Sequence, residues 1–169
     1  MDMEIEYRIA HWENPVDAQA VKELVNCLAS DPVGGGEPLN PEVLEALVPA
    51  LSRYPTCFCL LAMVGDLGVG MSLCFESLSS FKARPVVNIH DFVIRDGYRG
   101  HGIARNLLRQ TEAEAHRRGA CKLTLEVLEG NPIARKLYSS FGFKSYELDP
   151  ANGVAHFWEK PLSGQITNP

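Results

Sequence analysis

A mixed sheet covered by helices, of the α/β (α+β) class, is the fold this sequence predicts, and three observations carry that expectation. An alternating apolar and polar segment leads the chain. Two β-rich runs are joined by Gly65-Asp66-Leu67-Gly68, and a strand, helix, strand crossover follows over roughly 86–127. The tight hairpin demands at least one antiparallel neighbour, which disfavours a fully parallel, doubly wound sheet.

Each element follows from local pattern. Ile5, Tyr7 and Ile9 alternate with Glu6, Arg8 and Ala10, as a half-buried strand does. Asn14-Pro15 opens a helix over about 16–30, with Val21, Leu24, Val25 and Leu28 at helical spacing. Asp31-Pro32-Val33-Gly34-Gly35-Gly36-Glu37-Pro38 is a flexible connection, and Asn40-Pro41 starts a second helix whose stripe is Val43, Leu44, Leu47 and Leu51. Strands are expected at 57–64, 69–76, 86–94 and 122–127, a helix at 102–118 closed by Gly119, and a short helix at 132–141 closed by Gly142. His156–Lys160 reads as a last strand.

The 169 residues imply a single domain over 1–162 with a C-terminal tail over 163–169. Hydrophobic residues make up 46 % and charged ones 22 %, and no apolar run reaches the ~20 residues of a membrane helix. Net charge is −5 and no basic patch offsets it, so neither nucleic acid nor membrane is an expected partner. The start, MDMEIEYRIA, is acidic and alternating, unlike a secretory signal, which points to the cytoplasm. Cys27, Cys57, Cys59, Cys74 and Cys121 sit in apolar runs without a CxxC pair and read as reduced thiols. Period-two spacing of Cys57 and Cys59 on a strand is packing, not a metal site, and no metal is expected.

The most informative stretch is Val86–Leu108, VVNIHDFVIRDGYRGHGIARNLL, in which a β-branched strand feeds a glycine turn and then an amphipathic helix. Gly100 and Gly102 can take positive φ, so that backbone N–H groups converge on an anion, and the following helix adds its unpaired donors and the positive end of its dipole. The Gly-x-Gly-x-x-Gly of a dinucleotide site and the Gly-Lys-Ser/Thr of a nucleoside-triphosphate loop are both missing here. Arg99 and Arg105 flank the turn and could partner a pyrophosphate.

Arg99-x-x-Gly102-x-Ala104 resembles the acetyl-CoA motif of the GNAT superfamily of N-acetyltransferases. Asn131-Pro132-Ile133-Ala134-Arg135-Lys136-Leu137-Tyr138-Ser139-Ser140-Phe141-Gly142-Phe143 is similar to that family's second conserved segment, in the expected order. The resemblance implies a mostly antiparallel central sheet flanked by helices, with acetyl-CoA as co-substrate. The backbone of Phe92, Val93 and Ile94 would pair with the pantetheine amides like an added strand. Gly100, His101, Gly102, Ile103, Ala104 and Arg105, with Arg99, would hold the pyrophosphate. Asn131 would bond the pantetheine arm, and Ala134, Arg135 and Lys136 would line its other side. A bulge in the 86–94 strand would splay it from the 122–127 strand.

Acetyl transfer to an amine needs a base, a donor for the oxyanion and an acid for the leaving thiolate. His90 and Asp91 are the candidate bases, although strict alternation sends Asn88, His90, Phe92 and Ile94 to one face and Ile89, Asp91 and Val93 to the other. Each also has a structural alternative, a hydrogen-bonded imidazole or a core carboxylate. Tyr138 is the candidate acid, its alternative being a core tyrosine, and the Val93 N–H or a neighbour is the oxyanion donor. A covalent route through Cys74 or Cys121 is the rival to direct attack.

Phe75–Pro85 followed by Ile89-His90-Asp91-Phe92 is similar to the diamine (spermidine/spermine and thialysine) acetyltransferase subgroup, which carries Glu where this chain has His90. A polyamine or amino-acid-like small molecule is the expected acceptor, framed by the 29–40 loop, Phe75–Phe81 and residues near Tyr146. Glu37 and Glu76 are candidate attractors of an ammonium group. A protein amine as acceptor and an inert acetyl-CoA sensor are the alternatives, the intact Tyr138 arguing against the sensor. His156-Phe157-Trp158 could serve a homodimer or pack in the core.

Overall fold

The structure, a computed structural model, describes residues 4–147, 149, 151, 153–160 and 162. Its elements are β1 (Glu6–Ile9), α1 (Pro15–Ser30), α2 (Pro41–Ser52), β2 (Cys57–Val64), β3 (Leu67–Ser79), β4 (Arg84–Ile94), α3 (Ile103–Arg117), β5 (Lys122–Leu125) and α4 (Pro132–Ser140). The chain falls into two compact units divided between Asn131 and Pro132. The first unit holds a five-stranded sheet in the order β1-β2-β3-β4-β5, antiparallel at every step except the parallel β4–β5 pair. The expected mixed, mostly antiparallel α/β architecture is therefore present.

Both N-terminal helices start as their Asn-Pro dipeptides require. The Asn14 side chain accepts from the Val16 N–H at 2.9 Å and the Asn40 side chain from the Glu42 N–H at 2.9 Å, with Pro15 and Pro41 in first-turn positions that need no donor. α1 and α2 lie on one face of the sheet. There Val21 and Leu24 pack with Leu61, Met63, Met71, Leu73 and Val93, each large aliphatic side chain contributing about 1.5–3 kcal/mol. The approach of α1 is close: a Cβ at Gly68 would lie 2.8 Å from the Ala20 Cβ. α3 covers the opposite face with Ile103, Leu107, Leu108 and Ala115. Its last turn closes at Gly119, whose φ of +75° favours glycine.

Differences from expectation concentrate at strand ends. The β3–β4 hairpin is longer than the sequence implied, because Ser77–Ser79 continue to pair with Arg84–Val86 despite their polarity. β5 stops at Leu125 rather than 127, where its register with β4 ends opposite Ile89. The second unit holds α4 and the Gly142 turn, in which the Tyr138 carbonyl accepts from the Phe141 and Phe143 N–H groups. Residues 156–160 do not form the expected last strand. Among the described residues the Ala155 N–H donates to the Tyr146 carbonyl at 2.9 Å, no strand is formed over 156–160, and Phe157 and Trp158 stand 77 % and 85 % exposed. The anticipated tail over 163–169 lies outside the described residues. No helix among the described residues is long and apolar enough to cross a membrane.

One buried ion pair fastens α1 to the sheet edge. Asp17, only 1 % exposed, accepts from Arg8 Nη2 at 2.7 Å, from Arg8 Nε at 3.2 Å and from the His11 N–H at 2.9 Å, and the pairing raises the Arg8 pKa. Removing the carboxylate leaves Arg8 with only the exposed Glu6 as partner and the His11 N–H without its acceptor. Asp17→Ala should therefore lose about 3 kcal/mol of unfolding free energy in urea denaturation, and an unchanged midpoint would refute this account.

Candidate functional site

The site is built on an irregularity in β4. Leu73 of β3 lies opposite Asp91, yet the next residue, Cys74, lies opposite Ile89, so His90 is an extra residue on the β4 side. Residues paired across a ladder share a face. Leu73 and Met71 belong to the core under α1, and their partners Asp91 and Val93 face the same way. Phe75, packed on that core, opposes Asn88, and the His90 ring meets Phe75 edge-on at 5.4 Å and 89°. His90 and Asp91 thus share the α1 side of the sheet, where simple alternation would have separated them. Ile94 keeps to the α3 side, its Cδ1 2.8 Å from where a Cβ at Gly70 would stand.

Position changes the chemistry of Asp91. Burial lifts its pKa above the ordinary carboxylate value, and the neighbouring His90 charge pulls it partly back. Asn88 Nδ2 donates to Thr124 Oγ1 at 3.2 Å, the last side-chain link between β4 and β5 before their register ends. Beyond that point lie Phe92, Val93 and Ile94, the segment the sequence assigned to pantetheine.

β4 then runs into the glycine turn. Gly97, Gly100 and Gly102 have φ of +82°, +85° and +77°, and a Cβ on any of them would meet nothing within 4 Å, so backbone conformation is what selects glycine there. Gly102 caps α3 with no side-chain hydrogen bond and no acid in the first turn, leaving the helix's positive end without a carboxylate. Ile103 is buried and anchors the helix start, while His101, Gly102 and Arg105 are exposed and Ala104 is half-buried. His101 Nδ1 lies 3.4 Å from the Tyr98 carbonyl. The Arg99 guanidinium is turned to the rim of the turn: it donates to the Ile94 carbonyl at 3.1 Å and pairs with Asp31 at 2.8 Å and Asp96 at 3.2 Å. Sequence reasoning missed Arg95, which donates to the Gly68 carbonyl at 2.8 Å and pairs with Glu23 at 2.7 Å, clamping the root of the turn to β3 and α1. The sequence separation of 72 between Arg95 and Glu23 leaves no local signal of that contact.

Asn131 ends the first unit, its N–H bonded to the Leu128 carbonyl at 3.0 Å. In the second unit Ala134 is half-buried, Arg135 and Lys136 are exposed, and Tyr138 is buried with its ring 5.9 Å from Phe143. Burial pushes the Tyr138 phenol up to about 12. Burial likewise raises Cys57 to about 11, with the Asp91 charge adding to it, and Cys74 to about 12. Glu76, expected to await an ammonium group, instead lies 3.6 Å from Arg118.

Comparison with known proteins meets this geometry. The Acetyltransferase (GNAT) family model matches residues 21–143, a span crossing both units. The chain is 30 % identical over 123 residues to thialysine N-epsilon-acetyltransferase from Bos taurus, covering 68 % of this chain and 69 % of that protein. A possible acetyltransferase from Clostridium difficile 630 shares the fold with a TM-score of 0.76 at 21 % identity, over 95 % of this chain and 99 % of its own. An aminoglycoside acetyltransferase from an uncultured soil metagenomic sample, solved with sisomicin, does so with a TM-score of 0.74 at 14 % identity, over 94 % and 97 %.

The raised Asp91 pKa has a stability consequence. Its folded-state value exceeds the unfolded one, so the folded protein resists losing that proton, and stability falls as pH rises through the folded value. Asp91→Asn removes the cost. It should melt above the parent at pH 7, with the two curves converging near about pH 4; equal melting temperatures at pH 7 would contradict the assignment.

Proposed function

The chain belongs to the GNAT acetyltransferase family, and we propose that it transfers an acetyl group from acetyl-CoA directly onto a primary amine of a small molecule. The observation that carries this reading is the His90 bulge, which sets a carboxylate of raised pKa beside the end of the β4–β5 ladder and a few residues before a glycine turn suited to a diphosphate. A relative named for acting on a thialysine ε-amine supports an amine acceptor.

When bound, acetyl-CoA supplies the activated acetyl thioester. The N–H groups of residues 100–105 would hold its diphosphate, with Arg99 bracing the turn through Asp31 and Asp96. The backbone of Phe92, Val93 and Ile94 would receive the pantetheine arm as an added strand, and Asn131, Ala134, Arg135 and Lys136 would complete the contacts. Asp91 takes the proton of the acceptor ammonium, directly or through one water, and His90 beside it orients that acceptor. A carboxylate whose pKa has moved toward neutrality is a stronger base than an ordinary aspartate. The Val93 N–H donates to the carbonyl oxygen as charge develops on it. The family resemblance assigns the proton donor for the departing sulfur to Tyr138, whose buried phenol is protonated at neutral pH. Direct attack is favoured over an acyl-cysteine because burial keeps Cys74 protonated.

Two measurements test this. Calorimetry should detect coenzyme A binding, weakened roughly tenfold by Gly102→Ala, since a left-handed alanine costs about 1–2 kcal/mol; an absence of heat with the parent protein would end the reading. Thiol release followed over an amine panel should show kcat/KM about 10²-fold lower in Asp91→Asn, with loss of the acid limb of its pH profile, and a clear fall in Tyr138→Phe. Binding without thiol release from any amine would identify a sensor instead.

A further inference from the structure

Two rings on the α1 side of the sheet, Tyr54 and Phe75, have no part in the steps above and adjoin His90, which does. Tyr54, between α2 and β2, is 58 % exposed, but its backbone is fixed: its N–H donates to the Leu51 carbonyl at 3.0 Å and its carbonyl accepts from the Cys57 N–H at 2.9 Å. Its ring meets Phe75 edge-on at 6.1 Å and 88°, and Phe75 meets His90 edge-on at 5.4 Å and 89°. Phe75 is itself positioned by Cys57 and Asn88 on either side of it in the ladders. Three separate elements thus contribute to one half-open aromatic ledge, and Asp91 follows His90 on the same face.

The charges nearby are equally definite. β3 and β4 contain one acid each, Glu76 and Asp91. Glu76 lies next to Arg118, which also stacks on Phe58 at 4.0 Å. Asp91 is then the carboxylate these strands offer beside the ledge, and the residue adjoining it is an imidazole, which never carries negative charge. Along these two strands an acceptor with several ammonium groups would meet one counter-charge, Asp91, followed by rings. One with a single ammonium and an apolar, ring-bearing body would satisfy both surfaces.

We propose that Tyr54, Phe75 and His90 form the specificity wall for the acceptor, selecting monoamines with an aromatic body over linear diamines. The proposal rests on the transfer reading for the identity of the acceptor, and the test separates the two. Thiol release would be measured with 2-phenylethylamine and with 1,4-diaminobutane. The parent protein should show at least a tenfold higher kcat/KM for the aromatic amine. Tyr54→Ala and Phe75→Leu, the latter keeping most of the apolar volume, should each raise KM for 2-phenylethylamine about tenfold while moving the diamine less than twofold. A preference for the diamine, or equal losses with both amines, overturns the wall. A second readout needs no turnover: the His90 ring C–H resonances should shift on titration with 2-phenylethylamine and not with 1,4-diaminobutane, and Phe75→Leu should abolish the shift. Shifts without thiol release leave the wall standing and remove the transfer reading, whereas silent resonances in a protein that does release thiol remove the wall alone.

Discussion

One additional residue in β4 governs the site. A regular strand would have turned His90 and Asp91 to opposite faces, placing one of them under α3. Because His90 is accommodated as a bulge, the alternation resets, and Asn88, His90, Asp91 and Val93 all come to the α1 side. The same bulge lies one residue past the end of the β4–β5 register, at Ile89 opposite Leu125. Side-chain chemistry and strand separation thus meet at one backbone feature, as expected of bulges next to working sites.

The turn after β4 is held from its rim rather than its centre. Arg95 ties its root to the Gly68 carbonyl and to Glu23 on α1, and Arg99 ties its middle to Asp31 at the α1 C-cap. Partly exposed ion pairs of this kind contribute little to global stability, typically 0–1 kcal/mol each. Their effect is geometric. They fix where the left-handed glycines point, and Gly102 starts α3 with no side-chain cap. The Asp31 contact also links the turn to the glycine-rich loop between α1 and α2, which is the segment the sequence assigned to framing an acceptor.

Much of this was legible in the chain itself. Asn14-Pro15 and Asn40-Pro41 announced two helix starts, Gly65–Gly68 a hairpin, and Gly100 and Gly102 a left-handed turn before a helix, because caps and positive φ are local demands with local residue signatures. The presence of a bulge was expected from family resemblance, but its position was not, since register depends on which β3 residue faces which β4 residue, and no pattern in either strand alone records that. The aromatic contacts of Phe75 and the engagement of Glu76 by Arg118 were hidden for the same reason. Residues 156–160 misled in the other direction: their apolar, aromatic content has β propensity, yet propensity without a paired neighbour does not make a strand.

Burial acts alike on every ionisable group it touches, disfavouring the charged form, yet its consequences diverge with the chemistry of each group. For Asp91 it makes the carboxylate a stronger base than an ordinary aspartate. For Tyr138 it keeps the phenol protonated across the neutral range and makes it a weaker acid than a free tyrosine. For Cys57, Cys59 and Cys74 it withholds the thiolate, which disfavours a covalent route through Cys74. The same displacement of solvent thus gives one group a more basic conjugate and leaves the others neutral.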